Sequence, residues 1–290
     1  MLTLTSPRIV HASLAALALA AVSLSGLAGC ASNKNAEPAK AKANGSYAFW
    51  PAPPDEPRIQ FLVGLDSSED VSPTKSSQFE KIVFGADAVR PAFVNKPYGV
   101  AVRSGKIYVC DIRAKAIVVL DLAKKQTRLV GITGATRVER PIAIAVADDG
   151  MLYVAVAVQQ AIMVFDANER FTAAFSIPKL KPGAVAVGGN RLYVSDLGRQ
   201  QVLMIDRRTG KEVGAIGSVG DGDGQFRLPI GVSVDKSGNV YVADMMRCRV
   251  QKFSPEGSYI SGFGELGDHA GGFARPKHLA VDSEGIAYVV

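Results

Sequence analysis

The residues able to do chemistry are few and dispersed. Outside the first thirty positions only two histidines remain, His269 and His278. A protein zinc site needs three or four converging ligands, and a pair spaced like this does not supply them. Gly220-Asp221-Gly222-Asp223-Gly224 has the composition of a calcium loop. Calcium takes six to eight oxygens, however, and the Glu that closes an EF-type loop is missing. Asp221 and Asp223 therefore stand as weak metal candidates. Asp111, Asp196 and Asp244 recur in the same local context, each after Tyr-Val-x. That recurrence favours turns in which the carboxylate accepts from backbone N–H groups over acid catalysis. Cys110 lies in an apolar run and is expected to be buried. Cys248, in Met245-Met246-Arg247-Cys248-Arg249, falls in a turn and is expected to be more exposed. Neither has a His or a second Cys beside it, so no nucleophile or haem site is implied. The remaining candidates are cations near turns: Arg113, Lys115, Arg199, Arg207, Arg208, Arg247 and Arg249. Together with His278 they are the candidate contact residues for a binding partner. No cofactor is implied.

Composition bounds the scaffold that must position these groups. Apolar residues make up 48% of the 290-residue chain and charged residues 21%, which excludes a disordered chain. A single long apolar run, near the N-terminus, excludes a polytopic membrane protein. The net charge of +6 is mild and does not argue for nucleic acid.

That apolar run, residues 13–28, is short for a membrane span and fits the h-region of a secretory signal. It ends Leu27-Ala28-Gly29-Cys30. The motif resembles the lipobox of bacterial lipoproteins. The resemblance implies that 1–29 is a signal peptide and that Cys30 is acylated and becomes the mature N-terminus. Several acyl chains, at about 0.8 kcal/mol per buried methylene, would anchor the chain to a membrane. Ala31, where an Asp would favour the inner membrane, leans the expectation toward an outer-membrane lipoprotein facing the periplasm or the cell surface. Residues 30–57 are a small, polar, then proline-rich segment that suits a flexible tether.

The rest repeats. Pro97-Tyr-Gly-Val-Ala-Val, Pro141-Ile-Ala-Ile-Ala-Val, Pro182-Gly-Ala-Val-Ala-Val, Pro229-Ile-Gly-Val-Ser-Val and Pro276-Lys-His-Leu-Ala-Val recur at spacings of 44, 41, 47 and 47. After each comes a turn and a Tyr-Val strand: Ile107–Asp111, Leu152–Val156, Leu192–Asp196, Val240–Asp244 and Ala287–Val290. Third and fourth strands follow in four of the units. Four short strands per 40 to 45 residues is the pattern of a propeller blade. No window holds a sustained 3.6-residue period, so helical solenoids and crossover-helix folds are excluded. One short helix is expected over 76–84.

These units resemble NHL repeats, and the whole resembles the six-bladed, NHL-containing lipoproteins of bacterial envelopes. The resemblance implies an all-β, NHL-type β-propeller over 58–290, built of four-stranded antiparallel blades and six-bladed when complete. The repeats start near 97, 141, 182, 229 and 276. The fifth stops within its second strand, so the chain is expected to be C-terminally truncated there. Residues 58–65 are expected to form an outer strand of the last blade. One departure is Val156, which stands where the other units carry Asp.

The implied role is a non-catalytic binding or scaffold module for a protein, peptide or glycan of the envelope, with membrane contact through the lipid on Cys30. The alternative is a metal-dependent, lactonase-like hydrolase or lyase with its site in the central channel.

Overall fold

The structure is a computed structural model of the chain. It describes residues 94–269 and 271–290, together with Val10–His11, Phe49–Trp50, Ile59–Gln60, 64–65 and 71. The apolar segment 13–28, Cys30, the polar part of the tether and the expected helix over 76–84 lie outside the described residues. Among the described residues no helix is long and apolar enough to cross a membrane.

Two compact units are distinguished. In the smaller, residues 15–66, β2 (Phe49–Trp50) pairs antiparallel with β3 (Ile59–Gln60). The strand expected over 58–65 is thus represented by two residues, partnered locally. The larger unit holds β1 (Val10–His11) and the repeats.

The repeats fold into four-stranded antiparallel sheets. Blade 1 is β4 (Pro97–Arg103), β5 (Lys106–Asp111), β6 (Ala116–Asp121) and β7 (Gln126–Val130). Blade 2 is β8 (Pro141–Val146), β9 (Leu152–Val156), β10 (Ala161–Phe165) and β11 (Phe171–Ser176). Blade 3 is β12 (Pro182–Gly188), β13 (Arg191–Asp196), β14 (Gln201–Asp206) and β15 (Glu212–Ile216). A parallel pair, β16 (Ser218–Val219) and β17 (Gln225–Phe226), leads to blade 4: β18 (Pro229–Val234), β19 (Val240–Asp244), β20 (Arg249–Phe253) and β21 (Tyr259–Phe263). A second parallel pair, β22 (Glu265–Leu266) and β23 (Gly272–Phe273), leads to β24 (Leu279–Val281) and β25 (Ala287–Val289), which begin a fifth blade. There β1 pairs in parallel with β25.

The first strands pack against one another from blade to blade, and the two faces of each differ in size. Ile144 and Val146 of β8 enter the cluster built on Tyr108, Cys110, Ile117 and Val119 of blade 1. On the opposite face Ala143 and Ala145 meet Val185, Val187 and Leu192 of blade 3. Blades 3 and 4 repeat this, with Ala184 and Ala186 facing Val232 and Val234. A strand with branched residues on one face and small ones on the other lets each blade's knobs seat in its neighbour's hollow. Ile144, Val185 and Val232 are 6–7% exposed, whereas Val100 and Val102, at the equivalent face of β4, are 62% and 69% exposed.

Each complete first strand begins with a proline and then shifts register against its partner, between Pro97/Val100, Pro141/Ala143, Pro182/Val185 and Pro229/Gly231. Proline lacks a ladder N–H, so a bulge there re-aims the strand with little loss of pairing. The small residue after it has a steric reason. A Cβ on Gly99 would lie 2.8 Å from both Ala143 Cα and the Ile142 carbonyl oxygen. These are backbone atoms of the next blade and cannot turn aside. Gly99→Ala should therefore destabilise the chain by about 1–3 kcal/mol, read as a lower denaturant midpoint at unchanged m-value. An unaltered midpoint would show that the inter-blade gap is slack.

Candidate functional site

In an up-and-down blade the turn between second and third strands shares an end with the connection between blades. The other two turns lie at the opposite end. The two ends are built by different chemistry.

At the connection end a carboxylate closes the second strand of three blades. Asp111 Oδ1 accepts from the N–H groups of Arg113 (2.9 Å) and Ala114 (2.8 Å) in the following turn. Its Oδ2 accepts from Lys96 (3.0 Å) and Asn95 in the preceding connection. Asp244 repeats this, taking Arg227 (2.7 Å) and Leu228 (3.0 Å) on one side and Met246 and Arg247 (3.2 Å each) on the other. Asp196 binds Lys181 (3.2 Å) and Gly198 (2.8 Å). All three carboxylates are fully buried. Burial opposes the charge on Asp111, but the N–H bonds from Ala114, Asn95, Lys96 and Arg113 outweigh it and hold the carboxyl below the ordinary range. Asp111 and Asp244 turn both oxygens to backbone N–H groups, whereas Asp196 uses Oδ1 for the backbone and has Oδ2 3.4 Å from Arg199 Nε.

Blade 2 has Val156 at this position, and Gln159 does the work from three residues further on. Its Oε1 accepts from the Glu139 N–H (3.1 Å) and its Nε2 donates to the Arg137 carbonyl (2.6 Å). Inspection of the repeat registers the missing Asp but gives no sign of its substitute, because Gln159 is in a turn rather than in the strand motif.

The candidate cations divide between the two ends. Arg113, Lys115, Arg199, Arg247 and Arg249 belong to the connection end, Arg207 and Arg208 to the other, so the seven do not form one contact set. Several are committed internally. The Arg247 guanidinium donates to the carbonyls of Gly222 (2.9 Å), Gln225 (2.8 Å) and Asp221. Arg249 lies 3.2 Å from Asp223 and Arg227 pairs with Asp221. The oxygens that made residues 220–224 resemble a cation loop thus face three arginines, and Asp221 and Asp223 have guanidinium partners. Arg199 pairs with Glu212 (2.9 Å) and Lys115 with Glu139 (3.6 Å). Arg113 and Arg208 are exposed.

His278 is half-buried immediately before β24, its backbone bonded to Val290. Burial, aided by Lys277, lowers its pKa. Cys248 corrects another expectation. It is buried, 6% exposed, with its Sγ 3.6 Å from the Met245 carbonyl oxygen. It takes the left-handed backbone position that ends these turns, as the exposed Lys115 and Gln160 do, and its small side chain packs in the cluster of Tyr241, Ala243, Val250 and Phe273. Burial alone pushes the Cys110 thiol far up. Among the described residues no three His, Cys, Asp or Glu side chains form a group able to hold a metal ion.

At the opposite end the blades are joined by side chains. Glu169, from the last turn of blade 2, is buried against blade 1. It accepts from Lys106 Nζ (2.9 Å), Tyr108 OH (3.4 Å) and Arg128 Nε (2.6 Å). Burial would raise its pKa; the bonds from Arg128 and Lys106 override this and hold it below the carboxylate range. Beside this cluster lies a cleft of about 280 Å³ between blades 1 and 2. It is lined by Arg103, Lys106, Tyr108, Asp148, Asp149 and Gly150. Arg103 bonds Asp148 (2.8 Å), and Arg207 reaches over from blade 3 to pair with Asp149 above the Tyr153 ring. Glu169 and this cleft escaped the sequence reading, since nothing in a single turn residue announces partners more than forty positions away.

Comparison with known proteins agrees with this architecture. An NHL repeat is recognised at residues 226–253, which cover β17 to β20. The E3 ubiquitin-protein ligase TRIM71 of Rattus norvegicus is 50% identical over 50 residues, 17% of this chain and 6% of the ligase. The Mus musculus protein is 51% identical over 45 residues, 16% and 5%. The chain therefore spans only a small part of these relatives. Among solved structures, a streptogramin B lyase superposes with a TM-score of 0.54 at 14% identity, covering 67% of this chain and 61% of the lyase. A gluconolactonase from Xanthomonas campestris gives 0.52 at 19% identity, covering 70% and 73%.

The two ends should respond differently to mutation and acid. Asp111→Ala leaves buried N–H donors unpaired and should cost about 1–3 kcal/mol. Because the folded pKa of Asp111 is lowered, its contribution is complete above the unfolded value and is lost as pH falls through the folded one. Gln159→Ala should cost less, about 1 kcal/mol, and its cost should not change with pH in the acid range. Equal acid sensitivity of the two deficits, read from urea midpoints against pH, would refute the division of roles. Glu169→Gln should cost about 2 kcal/mol, below the figure for a fully buried pair because water reaches Arg128. No change in midpoint would remove Glu169 from the contact between blades 1 and 2.

Proposed function

We propose that this β-propeller chain, which carries an NHL repeat, is a non-catalytic binding or scaffold module of the bacterial cell envelope. It is held at the membrane by lipid on Cys30 and presents a polar cleft to a protein, peptide or glycan. The observation that carries the reading is the use made of the polar side chains. The recurrent aspartates hold turns, the Asp-rich loop is filled by arginines, and side chains of both charges line the cleft between blades 1 and 2. A cleft with Arg103 and Lys106 beside Asp148 and Asp149 offers donors and acceptors close together. Such a lining suits an extended polar ligand better than an apolar one.

A metal-dependent hydrolase or lyase is the competing reading, and the likeness to a lyase and a gluconolactonase brings it to mind. At 14% and 19% identity that likeness concerns the fold alone. The described residues offer no converging donor set through which a metal-dependent step could be derived.

The purified chain should bind a defined subset of peptide and glycan arrays, and Arg103→Glu, at a half-buried position of the cleft, should remove those signals. It should turn over no lactone with calcium or zinc added. Turnover that rises with metal, or array binding indifferent to Arg103→Glu, would overturn the proposal.

A further inference from the structure

The connection end has a second property, independent of the cleft and of any reading of its ligand. Exposed apolar side chains stand in its turns and connections. Val158 sits in the turn between β9 and β10, Met246 in the turn between β19 and β20, Val219 on β16 and Leu266 on β22. They are 59%, 67%, 61% and 77% exposed. Toward the opposite end the comparable side chains are Val102, Val213 and Ile260, on strands, and Leu122, in a turn.

Charge follows the same division. Lys96, Arg113, Arg140, Lys179, Lys181 and Lys277 are exposed in the turns and connections of the first end, and none forms an ion pair among the described residues. Most acids of that end have partners: Asp111, Asp196 and Asp244 take backbone N–H groups, Asp221 and Asp223 arginines, Glu139 both Lys115 and Arg137, and Glu265 lies 3.5 Å from His269; Asp268 is exposed, and the cations remain in excess. At the opposite end exposed cations such as Lys124, Arg208, Lys211 and Lys236 stand among acids, and Asp148, Asp149, Asp166 and Glu169 pair with Arg103, Arg207, Arg170 and Lys106 respectively.

We propose that the connection end of the blades docks on an anionic lipid surface. Val158, Val219, Met246 and Leu266 enter the interfacial layer, and the unpaired lysines and arginines contact headgroup phosphates. Separate apolar tips on four different loops fit this surface better than a protein pocket. A fluid interface accepts protruding side chains wherever they fall, while a protein partner needs one contiguous, complementary patch. Each cation near an anionic leaflet adds to the attraction, so six give a substantial, salt-sensitive contribution. The lipid on Cys30 would supply attachment only; the docking contacts determine which end of the propeller faces the membrane.

The test uses the full lipid-anchored chain reconstituted in vesicles, so attachment is common to all samples. A nitroxide is placed through Leu266→Cys, and in a second sample through Leu122→Cys; Cys110 and Cys248 are buried and stay unlabelled. In phosphatidylethanolamine–phosphatidylglycerol vesicles the label at 266 should become accessible to oxygen and shielded from a water-soluble relaxant. The label at 122 should stay aqueous. Arg113→Glu with Lys179→Glu, raised salt, or phosphatidylcholine vesicles should each return the label at 266 to water. A label at 266 that is aqueous in anionic vesicles overturns the proposal and leaves a soluble acidic partner for this end. Equal insertion of both labels overturns it too, since the docking contacts would then impose no orientation. Val219→Cys replaces Leu266→Cys if that variant fails to fold, with the same outcomes.

Discussion

The blade stack depends on a carboxylate that answers two segments at once. At the end of the second strand, one buried Asp binds the connection that enters its blade and the turn that leaves the strand. Without it, several backbone N–H groups would be buried in irregular segments with nothing to accept from them, at a cost of order 1–3 kcal/mol each. Helices and ladders satisfy their own backbone; connections between blades cannot. A side chain must therefore supply the acceptors, and an ionised carboxylate offers the most in the smallest volume. Gln159 shows what the position requires. Val156 removes the acceptor, and an amide three residues on restores bonds to the same connection with one donor and one acceptor instead of two oxygens. The constraint is on backbone satisfaction, and the residue type is one solution to it.

With the connections held, packing between first strands settles how closely the blades approach. The alternation of branched and small residues is a period-two pattern, but its meaning lies across the blade boundary. Ala143 is small because Val185 lies against its side of the sheet, and Gly99 because the backbone at Ile142 and Ala143 comes within contact distance. The opposite end carries a second set of boundary contacts through long polar side chains. Tyr108 reaches Glu169 and Tyr193 reaches the Pro255 carbonyl oxygen (3.0 Å), each crossing to the next blade. The Tyr of the Tyr-Val motif thus packs its ring in the inter-blade cluster and spends its hydroxyl at the rim.

How far this was legible in sequence follows from the range of each interaction. The strands, their order and the turn role of Asp111, Asp196 and Asp244 were readable, because each rests on neighbours within a few residues and recurs once per blade. Cys248 was misjudged as exposed, because its small side chain joins a cluster with Phe273, a partner 25 positions away that the turn motif does not show. The arginines were read only as cations near turns; antiparallel topology sends Arg199 and Arg207 to opposite ends although they are eight residues apart. Glu169, Gln159 and the cleft between blades 1 and 2 depend on contacts between blades. A repeat motif reports what blades share, and these features are where they differ.

The difference in character between the two ends follows from the same backbone constraint. The connection end needs carboxylates to hold irregular backbone, and those carboxylates face inward, with their charge directed at N–H groups. Arginines that order the 220–224 loop neutralise the acids beside them in the same way. Several acids of this end, Asp111, Asp196 and Asp244 above all, are consequently absorbed into the structure, while Lys96, Arg113, Arg140, Lys179, Lys181 and Lys277 are exposed to solvent. At the other end tight two-strand turns satisfy much of their own backbone, as Asp166, Asp206 and Asp235 do within their own loops. Acids such as Asp148 and Asp149 are left on the surface to pair with bases from adjacent blades. A fold that consumes acids at one end and spares them at the other acquires a polarity along its strands without any residue being placed for that purpose, and recognition by charge can then act on a direction the scaffold already has.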